Sequence, residues 1–211
     1  MPHDDFQIEP VPGLPERPPE GEHILWQGRS NWWALTRESL NLYWVIGYFV
    51  ALAAWRFVTL IDQVPFATAF SVSFPFIIMG GIASALLMLL GFVQARATVY
   101  TITNRRVAMR IGAALTVTLN LPFTRIARAD LDLRRGGTGT IALDLLGDTK
   151  LSYLVCWPHV RPWHMRKTQP ALRCINDAQR IAAMMAEAAE TQLNTPQVAR
   201  RPAAGSAVAA E

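Results

Sequence analysis

The sequence predicts an α+β membrane protein in which a two-helix transmembrane hairpin precedes an antiparallel β sandwich or partial barrel capped by a C-terminal helix. Three observations predict it. Two long apolar runs lie between residues 42 and 93, with charge nearly absent from them. Short β-rich runs then follow one another closely from residue 98 to residue 155. An amphipathic stretch from about Gln169 to Gln192 ends the regular part.

Composition supports the membrane half of this prediction. Of 211 residues, 51% are hydrophobic and only 17% are charged, against roughly 25% charged in an average soluble domain. That deficit argues against an ordinary soluble enzyme. A mean hydropathy of +0.18 is too low for a many-span transporter, so the apolar residues must be concentrated. Residues 1–41 carry net charge −4, residues 42–95 zero, residues 96–192 net +7 and the remaining tail +1. The basic character therefore belongs to one module. Cys156 and Cys174 are too few for a disulfide framework, and reduced thiols facing a cytoplasm are expected.

The first twenty residues hold Pro2, Pro10, Pro12, Pro15, Pro18 and Pro19 with little to bury, which predicts an extended, disordered arm. No apolar signal-peptide region is visible there. Residues 21–41 lead into the first span. From Leu42 to Ile61 the run LYWVIGYFVALAAWRFVTLI matches the roughly 30 Å of a bilayer core at about 1.5 Å per residue. The second run, Phe66 to Val93, has no charge; its best core is Phe74 to Val93, with Pro75 near the start or at a kink. Asp62 to Pro65 leave only a tight connection, so both ends of the hairpin lie on one side. Arg29 and Arg37 before it and Arg96, Arg105, Arg106 and Arg110 after it place that side, with both termini, in the cytoplasm of a multi-pass inner-membrane protein.

Small residues recur on both spans: Gly47, Ala51 and Ala54, then Gly80, Gly81, Ser84 and Ala85. Such faces either pack the hairpin on itself or dock it on a helix of another protein. Arg56 either marks a functional intramembrane charge or, fifteen residues into the span, snorkels to the far interface beside Trp55, the favoured reading. Trp26, Trp32, Trp33, Tyr43 and Trp44 form an aromatic belt. His3, His23, His159 and His164 all lie outside the spans, which makes the chain a poor resident pigment carrier.

Beyond Arg96 the periodicity becomes that of strands. Thr98 to Thr103 and Val107 to Ile111 form a hairpin turning at Asn104 and Arg105, and further strands are expected at Leu115–Leu121, Ile126–Leu133, Thr140–Leu145 and Lys150–Val155. In the closing helix, Leu172, Ile175, Ile181, Met184, Met185 and Ala188 share a side. After residue 192 the tail is expected to be disordered.

GEHILWQGR at residues 21–29, the double span, and YTITNRR at 100–106 followed by VAMRIG together resemble the bacterial PH-like membrane proteins. That resemblance implies a membrane hairpin leading into a PH-like sheet closed by a helix, with residues 96–192 as the cytoplasmic module. With VTLNLPF at 117–123 and YLVCWPHVRPWHM at 153–165 added, the chain is similar to the PuhB-type photosynthetic-complex assembly family of purple bacteria. Trp157 to Trp163 is the most specific element. The resemblance implies a membrane factor, not an enzyme, that assists assembly of the reaction centre and core light-harvesting complex, with their subunits as partners. It supplies no catalytic residues and no cofactor.

The candidates for protein contact are Trp157, His159, Arg161 and Trp163 in the loop, and Gly80, Gly81 and Ser84 on the second span. Arg96, Arg105, Arg106 and Arg110 are the candidates for lipid headgroups, since juxtamembrane cations gain about 1 kcal/mol each near an anionic surface. This leaves a second reading, a PH-like module that binds anionic headgroups without a photosynthetic role. Self-association is open. Cys156, His159, His164 and Cys174 lack the paired spacing of a zinc site, and a proline-bounded loop with partly exposed histidines is expected instead. The run from Arg134 to Thr140 lacks the GK[ST] ending of a phosphate loop and reads as a glycine-rich hairpin turn. No nucleic-acid motif is present, and no triad or paired carboxylates occur at recognisable spacing.

Overall fold

The computed structural model describes residues 11–194 apart from 12, 15, 114, 115, 135 and 148–150. The disorder expected for residues 1–10 and 195–211 lies outside the described residues. Among the described residues, seven strands and five α-helices follow in the order β1 (Ile24–Gly28), α1 (Trp32–Glu38), α2 (Leu42–Leu60), α3 (Phe66–Ala97), β2 (Val99–Thr103), β3 (Arg106–Ile111), β4 (Val117–Pro122), β5 (Ile126–Leu133), β6 (Thr138–Leu145), α4 (Tyr153–Cys156), β7 (Ala171–Asn176) and α5 (Ala178–Asn194).

The strands form two antiparallel sheets, β1-β2-β3-β4 and β5-β6-β7. Tyr100, Ile102, Val107, Met109 and Leu121 from the first sheet meet Ile141, Leu143, Leu172 and Ile175 from the second, and Ile181 and Met185 of α5 close the layer. Burying each such side chain contributes about 1.5–3 kcal/mol. Because β1 pairs with β2, Gly28 opposite Tyr100, the segment before the hairpin and the segment after it belong to one sheet.

α2 and α3 are long and apolar enough to cross a membrane, and they pack as a hairpin. On α3 the buried residues are Ala69, Ser73, Gly80, Ser84, Gly91 and Ala95, spaced as one face of a helix. They are small because something lies close against them. A Cβ on Gly80 would sit 2.7 Å from the Cβ of Phe49 on α2. Gly91 backs onto Thr36 of α1. α1 starts at Asn31, whose side chain accepts from the Ala34 N–H at 3.1 Å. Leu35 and Ala34 then close a small second core with Ala95 of α3 and Cys174 of β7. α1 thus clamps the end of α3 to the second sheet.

Several expectations are corrected. The strand expected at Lys150–Val155 is absent where described: Tyr153–Cys156 is a helical turn. The third strand of the second sheet is Ala171–Asn176, inside the stretch read as helix from Gln169, and α5 starts only at Ala178. The cause is a bulge. Gly139 and Ile141, two apart on β6, face Ile175 and Leu172, three apart on β7, and Cys174 takes a left-handed φ of 52° there. Leu172 and Ile175 both reach the core at a helix-like spacing of three. α3 runs unbroken from Phe66 to Ala97 with Pro75 inside it, longer than the span expected to end at Val93. Nor is the N-terminal arm free throughout, since Leu14 is only 2% exposed.

Gly91→Leu is expected to prise α1 from α3, at about 1–3 kcal/mol for an overpacked contact. Gly47→Leu, with nothing within 4 Å of the new Cβ, is expected to change stability by less than about 0.5 kcal/mol. Chemical unfolding of the detergent-solubilised protein checks the contrast.

Candidate functional site

The loop that joins α4 to β7 passes through the interior before it emerges. It leaves α4 at Trp157, followed by a cis peptide bond to Pro158, and His159 and Val160 are fully buried. The His159 carbonyl accepts from the Ala171 N–H at 2.9 Å, and the Arg161 N–H donates to the Gln169 carbonyl at 2.9 Å, so the neck of the loop is laced shut.

His159 lies at the point where the loop, the first sheet and the end of α3 meet, and the proton positions around it follow from the partners. The Thr98 hydroxyl donates to the Gln94 carbonyl at 2.8 Å, so at 2.9 Å from His159 it accepts from the Nε2 hydrogen. Nδ1 is then an acceptor, and the Tyr100 hydroxyl donates to it at 2.6 Å. The Tyr100 oxygen accepts in turn from the backbone N–H of Arg173 at 3.2 Å and from the Ser30 hydroxyl at 3.1 Å. The donor and acceptor at each hydrogen bond of this chain are thereby fixed. The chain links the segment before α1, strand β2, the loop, strand β7 and the last turn of α3.

This corrects the expectation of a partly exposed His159 that a partner could touch: both ring nitrogens are engaged and no surface is left. Nothing in the sequence marks Thr98 and Tyr100 as its partners, or Ser30 and Arg173 as the partners of Tyr100 behind it, because no local pattern connects them. The Arg173 guanidinium donates to the Val160 carbonyl at 2.9 Å, which ties the same loop to β7.

Outside the neck the loop is apolar and exposed. Trp163 is 88% exposed at a left-handed φ of 64°, and Leu154, Val155, Trp157 and Met165 are exposed with it. Arg161 is held back, donating to Asp130 at 2.7 Å and to Gln169 at 3.1 Å. It and Pro162 help line an open cleft of about 250 Å³ with Glu38, Asp130, Asp132 and Arg134. Glu38 ends α1, four residues before α2 begins.

The remaining candidates separate into inner and outer groups. Gly80 and Ser84 belong to the buried face of α3, whereas Gly81 has nothing within 4 Å of its Cβ position and faces outward, as does Gly47 on α2. Of the four arginines, Arg96 and Arg105 are exposed. Arg106 is paired with Glu22 at 2.7 Å, and Arg110 is only 5% exposed, so neither is placed to meet a headgroup. Burial raises the Cys156 thiol above its usual range. Burial and then the neighbouring Glu38 carboxylate push the Cys174 thiol up to about 11. His164 donates from Nδ1 to the Pro162 carbonyl at 2.8 Å within its own loop. Among the described residues no three His, Cys, Asp or Glu side chains converge on a metal position. Gly136 and Gly137, both at positive φ, turn the β5-β6 hairpin.

The bacterial PH domain family profile matches residues 42–189. The chain belongs to the bacterial PH domain family. A protein of Rhodobacter capsulatus, described as an uncharacterized 23.7 kDa protein in the puhA 5′ region, is 46% identical over 207 residues, 97% of each chain. Among solved structures, a protein with a pleckstrin-homology domain from Shewanella loihica PV-4 aligns over 44% of this chain and 71% of its own at 12% identity, with a TM-score of 0.29. In this member of the family the PH-like sheets and the apolar hairpin share one buried polar chain.

That chain has a pH signature. Burial, with the Arg173 charge added, pushes His159 down to about 3 from an ordinary 6.5. The folded protein keeps the imidazole neutral while the unfolded chain takes up a proton. Stability is therefore expected to fall as pH drops from 6.5 towards 3, with a slope of up to about 1.4 kcal/mol per pH unit from this residue. Unfolding free energies of wild type and His159→Gln across pH 7 to 4 check this, and equal slopes would count against it.

Proposed function

We propose that this protein is a non-enzymatic assembly factor for the photosynthetic reaction centre and its core light-harvesting complex. It is anchored in the cytoplasmic membrane by α2 and α3, with both termini in the cytoplasm. The observation that carries this reading is the relative aligned over 97% of both chains and named for its place beside puhA, a photosynthesis gene. The geometry supports it in two ways.

α2 has 19 residues, close to the ~30 Å of a bilayer core, and its exposed side chains include Tyr48, Val50, Trp55 and Val58. Lipid is the solvent such a surface needs. The outward Gly81 and Gly47 then offer places where a client helix approaches closely, while Gly80 and Ser84 hold the hairpin together. On the cytoplasmic side, the exposed Trp157, Leu154 and Val155 form an apolar patch of the kind that anchors protein contacts. Because the buried polar chain ties loop to hairpin, a client gripped by one is registered against the other.

The alternative, a module that reads anionic headgroups through four arginines, retains Arg96 and Arg105 but loses support at Arg106 and Arg110. Each of those is engaged within the fold or buried by it.

The test is a mild-detergent pull-down of the tagged protein from phototrophically grown cells, read by near-infrared absorbance and mass spectrometry. Reaction-centre or light-harvesting chains are expected to co-purify. Gly81→Leu and Trp157→Ala are each expected to lower that yield several-fold at unchanged protein level, whereas Gly80→Leu is expected to lower the protein itself. A colourless eluate, with no client captured even after crosslinking, would sink the reading.

A further inference from the structure

We propose that the exposed end of the loop, with Trp163 at its tip, is an interfacial anchor that inserts among anionic headgroups beside the hairpin. The inference rests on the reading that α2 and α3 cross the membrane, and it adds a second, separate point of bilayer contact.

Position comes first. The loop is pinned by His159 to Thr98, the residue that immediately follows α3. Pro162, next to Trp163, lines the same cleft as Glu38, close to the start of α2. The tip therefore lies near both places where chain enters the hairpin, on the side where the hairpin's two ends are.

Chemistry comes second. Trp163 is almost fully exposed, and Met165 beside it is exposed too. A tryptophan presented to water at a left-handed φ, a conformation that costs an L-residue roughly 1–2 kcal/mol, gains nothing from the fold it belongs to. Exposed His164, Arg166 and Lys167 interleave and flank these apolar groups, although Lys167 also reaches Asp144 at 2.7 Å. Arg96 is exposed at the end of α3. A tryptophan and a thioether with Arg166 and Lys167 beside them fit a boundary that is apolar below and negatively charged above. A protein client would need no such charge bias, and water would favour neither aromatic nor methionine.

Anchoring has a mechanical consequence. The junction at Thr98 holds the module rigidly on α3, so the hairpin and module tilt together, and a second contact at the loop tip fixes the tilt of that unit over the bilayer.

The test uses the full chain labelled with 5-fluorotryptophan in nanodiscs of mixed phosphatidylcholine and phosphatidylglycerol, with the seven tryptophan resonances assigned by single Trp→Phe variants. Broadening is read from a lipid-borne nitroxide and from a water-soluble gadolinium chelate. Trp163 is expected to be broadened by the lipid probe and protected from the aqueous one, as is Trp44 of α2, and this protection is expected to weaken in phosphatidylcholine alone. Trp163 broadened by gadolinium while Trp44 responds to lipid would overturn the anchor but leave the membrane reading intact. That outcome would leave the tip free for a protein partner. Equal protection with and without phosphatidylglycerol would overturn the role of anionic headgroups. Trp44 and Trp163 both broadened by gadolinium alone would overturn the membrane reading and the anchor with it.

Discussion

The rest of the structure depends on a buried, neutral hydrogen-bond chain from Ser30 through Tyr100, His159 and Thr98 to the Gln94 carbonyl. The members come from three separate stretches of the sequence, Ser30, residues 94–100 and His159, and the hydrogen bonds close only when all three are in place. An unpaired buried polar group costs about 1–3 kcal/mol, so the network tolerates little partial assembly. A purely apolar contact at this junction would allow sliding. The directional chain does not, and it fixes how the last turn of α3 enters the sheets.

The junction is reinforced by small residues rather than by large ones. Gly91 admits Thr36, and Ala95 meets Leu35, Ala34 and Cys174. Close approach leaves little room for α1 to shift, and Asn31 adds direction: its N–H donates to the Cys174 carbonyl at 2.8 Å. The bulge at Cys174 turns that carbonyl out of the β6 ladder, where Asn31 meets it. A left-handed residue at 174 is thus part of the clamp between sheet and helix.

Legibility in the sequence followed the range over which each signal acts. The hairpin was legible because apolar length is local information, as was the turn at Asn104 and Arg105, where β2 meets β3. The third strand of the second sheet was not. Its bulge set Leu172 and Ile175 three apart, which mimics a helical face, and its continuation into α5 through Asp177 hid the boundary. Of the candidate site, Trp157 and Trp163 stand out in the sequence as two large aromatics flanking Pro158 and Pro162, and the structure leaves both exposed. The burial of His159 and Arg110 was not legible, because both depend on partners many residues away in the chain. The pairing of Arg106 with Glu22, 84 residues earlier, has no local signal either.

These interactions constrain how such a protein can act. A mobile tether between hairpin and module would let each bind independently, and their affinities would combine only through a loose effective concentration. Here the connection from α3 to β2 is a single residue, Thr98, whose side chain is itself locked to His159. Two surfaces held this way behave as one rigid ruler: outward helix faces at one end, the exposed loop at the other. Under the proposed assembly role, a client subunit that matches both meets a preorganised template and loses less conformational freedom on binding than one met by flexible parts. In the assembly role proposed above, rigidity places the selectivity in the spacing between contacts, so each single contact can remain weak.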